Sequence, residues 1–109
     1  MATSVGSIGV VLVDGASGRT VYTFAQDVKD SGTSNCTGGC LQKWPALTVP
    51  AGSSPSAGDG VTGQLGTITR ADDGTLQVTY NGLPLYFFSG DAAAGDANGV
   101  YPNWEAVKP

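Results

Sequence analysis

The chain has 109 residues, a formal net charge of −4 and only 13% charged residues, with 17 glycines and no histidine. This length suits a single domain with a modest core. Five scattered cationic residues do not form the basic surface that nucleic acids or anionic membranes attract, so neither is an expected partner. No apolar run approaches the roughly 20 residues of a membrane helix, and we therefore expect no membrane span.

The beginning of the chain does not resemble an export signal, because residues 1–4 form neither a basic nor an apolar region. The glycine-rich, weakly charged composition is nevertheless typical of a β-rich protein outside the cytoplasm. We expect an extracytoplasmic protein that is secreted or lipid-anchored to the cell envelope, with its targeting segment absent from this sequence.

The first half of the chain predicts a hairpin, a loop and one helical turn. Residues 8–13 form a β-branched apolar run, typical of a strand buried on both faces, and residues 19–24 return after a Gly/Ser turn. The polar residues 25–35 predict a loop. Residues 40–44 predict a helical turn that ends before Pro45, because the residue preceding a proline is pushed out of the α region.

The second half predicts a series of hairpins that follow a short strand near residues 47–49 and a flexible Pro/Gly/Ser-rich connector at residues 50–60. Within residues 75–80, the alternation predicts that Val78 faces the core and Gln77 faces water. The expected strands are residues 65–70, 75–80, 83–88 and 104–107, with tight turns at Asp73–Gly74 and Asn81–Gly82.

Two segments of the chain share the pattern Tyr-x-Phe-x-x-Asp followed by a tryptophan. The same residue types in the same order, twice in a short chain, indicate an internal duplication. We expect one domain over residues 1–109, with a first repeat at about 8–49 and a second at about 65–108. The repeated positions are Tyr22, Phe24, Asp27 and Trp44 in the first repeat and Tyr86, Phe88, Asp91 and Trp104 in the second.

The predicted strands come as hairpins without helical crossovers. This order predicts an all-β antiparallel domain, a small sandwich or partly open barrel, with pseudo-twofold related halves. Trp44 and Trp104, one in each half, are expected to fill the core, because a tryptophan buries on the order of 200 Å².

These motifs together resemble the bacterial secreted-repeat lipoprotein family, which is named for its Tyr-x-(Phe/Trp/Tyr)-x-x-Asp motif. The resemblance extends over about residues 8–108. It includes Asn-Cys-Thr-Gly-Gly-Cys at 35–40, Trp-Pro-Ala-Leu-Thr-Val-Pro at 44–50 and Tyr-Asn-Gly-Leu-Pro-Leu-Tyr at 80–86. The resemblance implies an exported or lipid-anchored bacterial protein of unknown function, and it brings no catalytic residues with it.

Cys36 and Cys40 are the only cysteines, and the Thr-Gly-Gly between them lets them reach the separation that a disulfide requires. A structural disulfide is the main interpretation, and it would place the protein in an oxidising compartment. A redox couple, with Lys43 as the nearby cation, and free thiols or a metal are the alternatives. The sequence supplies no histidine or third cysteine for a zinc site of the Cys/His type.

The repeated aspartates Asp27 and Asp91 are the best polar candidates for a site. The simplest interpretation is that each accepts backbone N–H groups in the turn after its strand. The alternative is a calcium site formed by Asp91, Asp96 and Asn98, which supplies oxygen ligands but lacks the spacing of an EF-hand. Tyr22 and Tyr86 are expected in the core or at an interface, with hydroxyl groups that contact water.

Enzyme motifs are scarce in this chain. The lack of histidine excludes Ser-His-Asp and Cys-His sites, and the Gly-rich stretches lack the lysine of a phosphate-binding loop. We expect a non-catalytic module with a structural role or a cell-envelope protein partner, and no cofactor other than calcium. The alternative is a redox or electron-transfer accessory, or a cofactor- or calcium-binding protein.

Overall fold

A computed structural model of the chain describes residues 2–5, 9–14, 18–50, 61, 63–70, 72–91 and 96–108. The predicted connector lies almost entirely outside the described residues, as does the centre of the first predicted turn. The elements are β1 (Ala2–Val5), β2 (Gly9–Leu12), β3 (Tyr22–Phe24), α1 (Gly39–Lys43), β4 (Thr48–Val49), β5 (Leu65–Thr69), β6 (Leu76–Tyr80), β7 (Leu83–Pro84) and β8 (Trp104–Ala106).

All strand pairs in the described part of the chain are antiparallel, and they do not close into a barrel. β1 pairs with β2, β3 pairs with β8, and β6 lies between β4 and β5 and also pairs with β7. The prediction of an all-β antiparallel fold built from two repeats is therefore confirmed.

Short sequence motifs correctly predicted the end of the helical turn and the tight turn between β6 and β7. The helical turn ends at Lys43, directly before the Trp44-Pro45 step. The turn between β6 and β7 places Asn81 and Gly82 at φ 51° and 86°. Both values lie in the left-handed region that asparagine and glycine tolerate best, which explains this hairpin.

The first hairpin differs from the prediction. β2 pairs with β1, a strand that the sequence did not predict. Among the described residues, the end of β2 and the residues after it meet the returning segment through the bridge between Val13 and Thr20 and the hydrogen bonds beside it. β3 pairs with β8 from the other repeat instead. Val10 is 50% exposed, whereas Val11, Leu12 and Val13 are buried, so the segment is buried on both faces beyond Val10.

Gln77 is fully buried, so the prediction that it faces water is wrong. Its amide nitrogen donates to the Leu85 carbonyl at 2.8 Å, and its amide oxygen accepts from Arg70 at 2.7 Å. A buried polar side chain is tolerated when its donors and acceptors have partners. The alternation within β6 could not reveal that Arg70, which directly follows the neighbouring strand β5, covers this face of β6.

The last strand of the second repeat completes the sheet of the first repeat. β8 pairs with β3, with Phe24 opposite Trp104. Beyond β8, the Val107 N–H donates to the Val21 carbonyl at 3.0 Å, and the Val107 carbonyl accepts from the Leu12 N–H at 2.8 Å. Because the Val21 N–H also donates to the Leu12 carbonyl at 3.2 Å, these three residues form a ring of three backbone hydrogen bonds that ties the second repeat to the first.

The first repeat makes the same contacts to the second. Leu47 donates to the Leu85 carbonyl at 3.0 Å and accepts from the Val78 N–H at 2.8 Å, and β4 continues this pairing along β6. Tyr22 and Tyr86 lie between the two sets of contacts, where the N–H of each donates to the carbonyl of the other at 2.8 and 2.9 Å. The two repeats are therefore related by a pseudo-twofold axis near this pair, and each supplies a strand to the other.

Candidate functional site

Four aromatic rings form a continuous stack where the repeats meet. Trp44 and Trp104 are nearly parallel, with ring centroids 3.8 Å apart and an interplanar angle of 1°. Phe24 stacks on the outer face of Trp104 at 4.3 Å, and Phe88 packs on Trp44 at 4.6 Å. Each tryptophan follows its own repeat's motif, and each contacts the other, so the stack joins the two halves.

The motif tyrosines enclose this stack with their ring edges. Tyr22 meets Trp44 at 5.5 Å and 78°, and Tyr86 meets Trp104 at 5.2 Å and 87°. Edge-to-face contacts of this kind are favourable because the positive ring edge faces the negative ring surface. Both tyrosines are fully buried, and both tryptophans are nearly so.

The tyrosine of each repeat donates its hydroxyl hydrogen bond to the aspartate of the other repeat. Tyr22 Oη donates to Asp91 Oδ2 at 2.6 Å, and Tyr86 Oη donates to Asp27 Oδ2 at 2.6 Å. Both aspartates are buried, with 7% exposure for Asp27 and 3% for Asp91. The expectation of tyrosine hydroxyls in contact with water does not hold, because each hydroxyl is held by a buried carboxyl group.

Each hydroxyl also has a second partner. The Gly99 N–H donates to Tyr22 Oη at 3.1 Å, and Ser34 Oγ forms a hydrogen bond with Tyr86 Oη. Burial, with the hydrogen bond to the aspartate as the next cause, raises the pKa of both tyrosine hydroxyls well above the ordinary value of 10.0. The protonated, donating form of each tyrosine is thus favoured by folding.

The second oxygen of each aspartate holds a loop of its own repeat. Asp27 Oδ1 accepts the Asn35 N–H at 2.6 Å, and Asp91 Oδ1 accepts the Asn98 N–H at 2.8 Å. The donors lie seven or eight residues beyond the aspartate, farther than in a simple turn. Each aspartate therefore accepts one backbone N–H, but from a loop beyond the turn that the simpler interpretation expected, and in addition joins the repeats.

The structure brings together only some of the residues of the hypothetical calcium site. Asp91 and Asn98 are joined through the Asn98 backbone, and the Asp96 carbonyl accepts the Thr20 hydroxyl at 2.6 Å. Among the residues that the structure describes, acidic and cysteine side chains do not gather in threes as a metal site would need. The calcium hypothesis remains a prediction for chelation experiments.

Cys36 and Cys40 form a disulfide with a Cα–Cα distance of 5.2 Å. Cys36 is fully buried in the aromatic cluster, and its carbonyl accepts from Arg70 at 2.7 Å. The bridge fixes the start of α1, and the Trp44 N–H donates to the Cys40 carbonyl at 2.9 Å at its end. The disulfide thus helps to position Trp44 in the stack.

Arg70 is the main polar residue that the sequence did not indicate. It is 4% exposed, and it connects the second repeat to the Cys36 loop of the first. Its guanidinium forms an ion pair with Asp72 at 2.9 Å. Burial acts to lower the pKa of Arg70, but the hydrogen bond and charge of Asp72 leave that pKa raised, while Arg70 lowers the pKa of Asp72.

The aromatic stack reaches the surface at one end. A pocket of about 290 Å³ is lined by Lys43, Trp44, Phe88, Tyr101 and Trp104. Tyr101 contacts Trp44 and Phe88 edge-on and is itself 53% exposed, and the neighbouring Val100 is 51% exposed. The pair places apolar surface in solvent beside the pocket.

The geometry defines an all-β module made of two interlocked repeats with a shared aromatic and Tyr–Asp interface. A family model described as a secreted repeat of unknown function matches the chain twice, at residues 2–48 and 66–108. The chain belongs to this family. Neither a curated protein nor a solved structure matches the chain. Within the described part of the chain, every helix is too short or too polar to cross a membrane.

Proposed function

We propose that the chain is a non-catalytic extracytoplasmic module that acts structurally or by binding a protein partner at the bacterial cell envelope, where it is secreted or lipid-anchored. The observation that carries this proposal is that the repeated aspartates form their hydrogen bonds within the protein itself. Both oxygens of Asp27 and of Asp91 accept hydrogen bonds from the protein itself, so the motif holds the fold together. A buried set of mutually satisfied groups supports a structural role for the motif.

Two further observations support the location and the mode of action. The Cys36–Cys40 disulfide is typical of proteins in an oxidising compartment. Exposed Val100 and Tyr101 lie beside the aromatic pocket, and exposed apolar patches commonly mark protein contacts. We assign the contact with an envelope partner to this end of the aromatic stack.

Fractionation of cells of the source organism tests the location. The protein is expected in the envelope or the culture medium, with Cys36 and Cys40 oxidised. A cytoplasmic protein with two free thiols would contradict the proposal.

Photo-crosslinking in intact cells tests the contact surface. A photoreactive residue in place of Tyr101 is expected to yield a discrete adduct with one envelope protein. The matched control is the same residue at Val28, which is 63% exposed and lies outside the pocket. Equal adduct patterns from both positions would contradict a partner surface at Tyr101.

A further inference from the structure

We propose that the surface at which the two repeats meet also recognises a second copy of this chain, and that two chains form a dimer by exchanging whole repeats. This inference goes beyond the proposed function and does not depend on it. It rests on the way in which each repeat is completed by a strand, a tryptophan and a tyrosine of the other.

Each repeat by itself has an incomplete sheet. The Leu12 N–H and the Val21 carbonyl are both paired by Val107 of the second repeat. The Val78 N–H and the Leu85 carbonyl are both paired by Leu47 of the first repeat. Without the other repeat, these four residues would leave backbone donors and acceptors unpaired. A repeat therefore needs a complementary repeat, because buried backbone groups without partners are costly.

The side chains at the interface also require a complementary repeat. Removing either repeat would expose a face of the remaining tryptophan and leave the buried Asp27 or Asp91 without its tyrosine donor. In the described residues the repeats are held together by hydrogen bonds and ring contacts, since the disulfide joins Cys36 to Cys40 inside the first repeat. The covalent link between the repeats is the connector at residues 51–60.

A repeat consequently makes the same contacts whether its complement belongs to its own chain or to another. The choice depends on concentration, because a short link between two modules gives an effective concentration of about 1 mM. Exchange of identical elements between protomers is a route to dimers of low energetic cost. The monomer is expected to dominate at micromolar concentration, and the exchanged dimer is expected to form when chains refold together at millimolar concentration.

Cysteine pairing between two variants tests the exchange in the full chain. Thr23 of β3 lies opposite Glu105 of β8, so this pair spans the two repeats. Thr69 lies opposite Leu76 within the second repeat and serves as the matched control. Opposite residues of antiparallel strands have Cα atoms about 4.5–5.5 Å apart, which a disulfide accommodates. Each pair placed in a single chain, Thr23→Cys with Glu105→Cys or Thr69→Cys with Leu76→Cys, is first checked for an intrachain bond.

The single variants are then mixed, unfolded in denaturant and refolded together at micromolar and millimolar concentrations before oxidation. The mixture of Thr23→Cys and Glu105→Cys is expected to give at least tenfold more interchain-linked dimer at the higher concentration, with the near-ultraviolet circular dichroism of the native monomer. The mixture of Thr69→Cys and Leu76→Cys is expected to give no such increase. Equal yields from the two mixtures, or a linked dimer that lacks the native aromatic signal, would overturn the proposal.

Discussion

Replacement of Tyr22 by phenylalanine isolates the hydrogen bond that joins the two repeats. The ring and its contact with Trp44 are retained, but Asp91 Oδ2 loses its donor at 2.6 Å and the Gly99 N–H loses its acceptor. A hydrogen bond to a charged group contributes about 1.5–3 kcal/mol, and a buried partner left unsatisfied brings the cost to the upper part of that range. We therefore expect Tyr22→Phe to lower the free energy of unfolding by about 2–3 kcal/mol.

Urea unfolding at pH 7, followed by tryptophan fluorescence, measures this change as a lower midpoint at an unchanged slope. Tyr101→Phe is the matched control, because Tyr101 is 53% exposed and surface changes usually alter stability by less than about 0.5 kcal/mol. A Tyr22→Phe midpoint equal to that of Tyr101→Phe would refute the reasoning, because the Tyr22–Asp91 bond would then contribute nothing to stability.

The same variant makes a prediction for alkaline pH. Because folding raises the pKa of the Tyr22 hydroxyl above its ordinary value of 10.0, the unfolded chain loses this proton at lower pH than the folded chain. The contribution of the Tyr22 hydroxyl to the free energy of unfolding is fully present below pH 10. It is lost as the pH rises through the pKa that this hydroxyl has in the folded protein. Above pH 10, wild-type stability should fall more steeply than that of Tyr22→Phe, by about 1.4 kcal/mol per pH unit. Parallel pH profiles of the two proteins would contradict this linkage.

Three other perturbations address the rest of the interface. Trp104→Ala should destabilise the protein by about 3–5 kcal/mol in urea unfolding, because it removes the centre of the ring stack, and an unchanged midpoint would place that ring outside the stabilising core. Thiol titration of the unfolded, unreduced protein should find no free thiol at Cys36 or Cys40, and two thiols per chain would contradict the bridge. Asp27→Asn and Asp91→Asn should cost less than the alanine variants, because asparagine keeps one acceptor oxygen. EDTA should leave the melting temperature unchanged, whereas an EDTA-induced drop that is absent in the asparagine variants would favour calcium.

Several features of the molecule follow from short stretches of its sequence. The Asn81–Gly82 turn and the end of α1 before Pro45 depend on the backbone preferences of one or two residues. The duplicated order of aromatic and acidic residues predicted two related halves with one tryptophan in each, and the structure brings both tryptophans into one shared cluster. The turn and the helix end could be predicted because the responsible interactions lie within a few residues of one another.

The pairing of the halves was decided by the tertiary structure alone. The sequence placed Asp27 and Asp91 after their strands, but their tyrosine partners lie 59 and 69 residues away. Gln77 has the alternation of a solvent-facing residue, yet Arg70 covers it, and β3 pairs with the last strand of the chain. No local pattern specifies which strand fills an open sheet position. That choice requires both repeats to be folded against each other, because only then do the unpaired backbone groups, the ring faces and the buried carboxyl groups of one repeat meet their complements in the other.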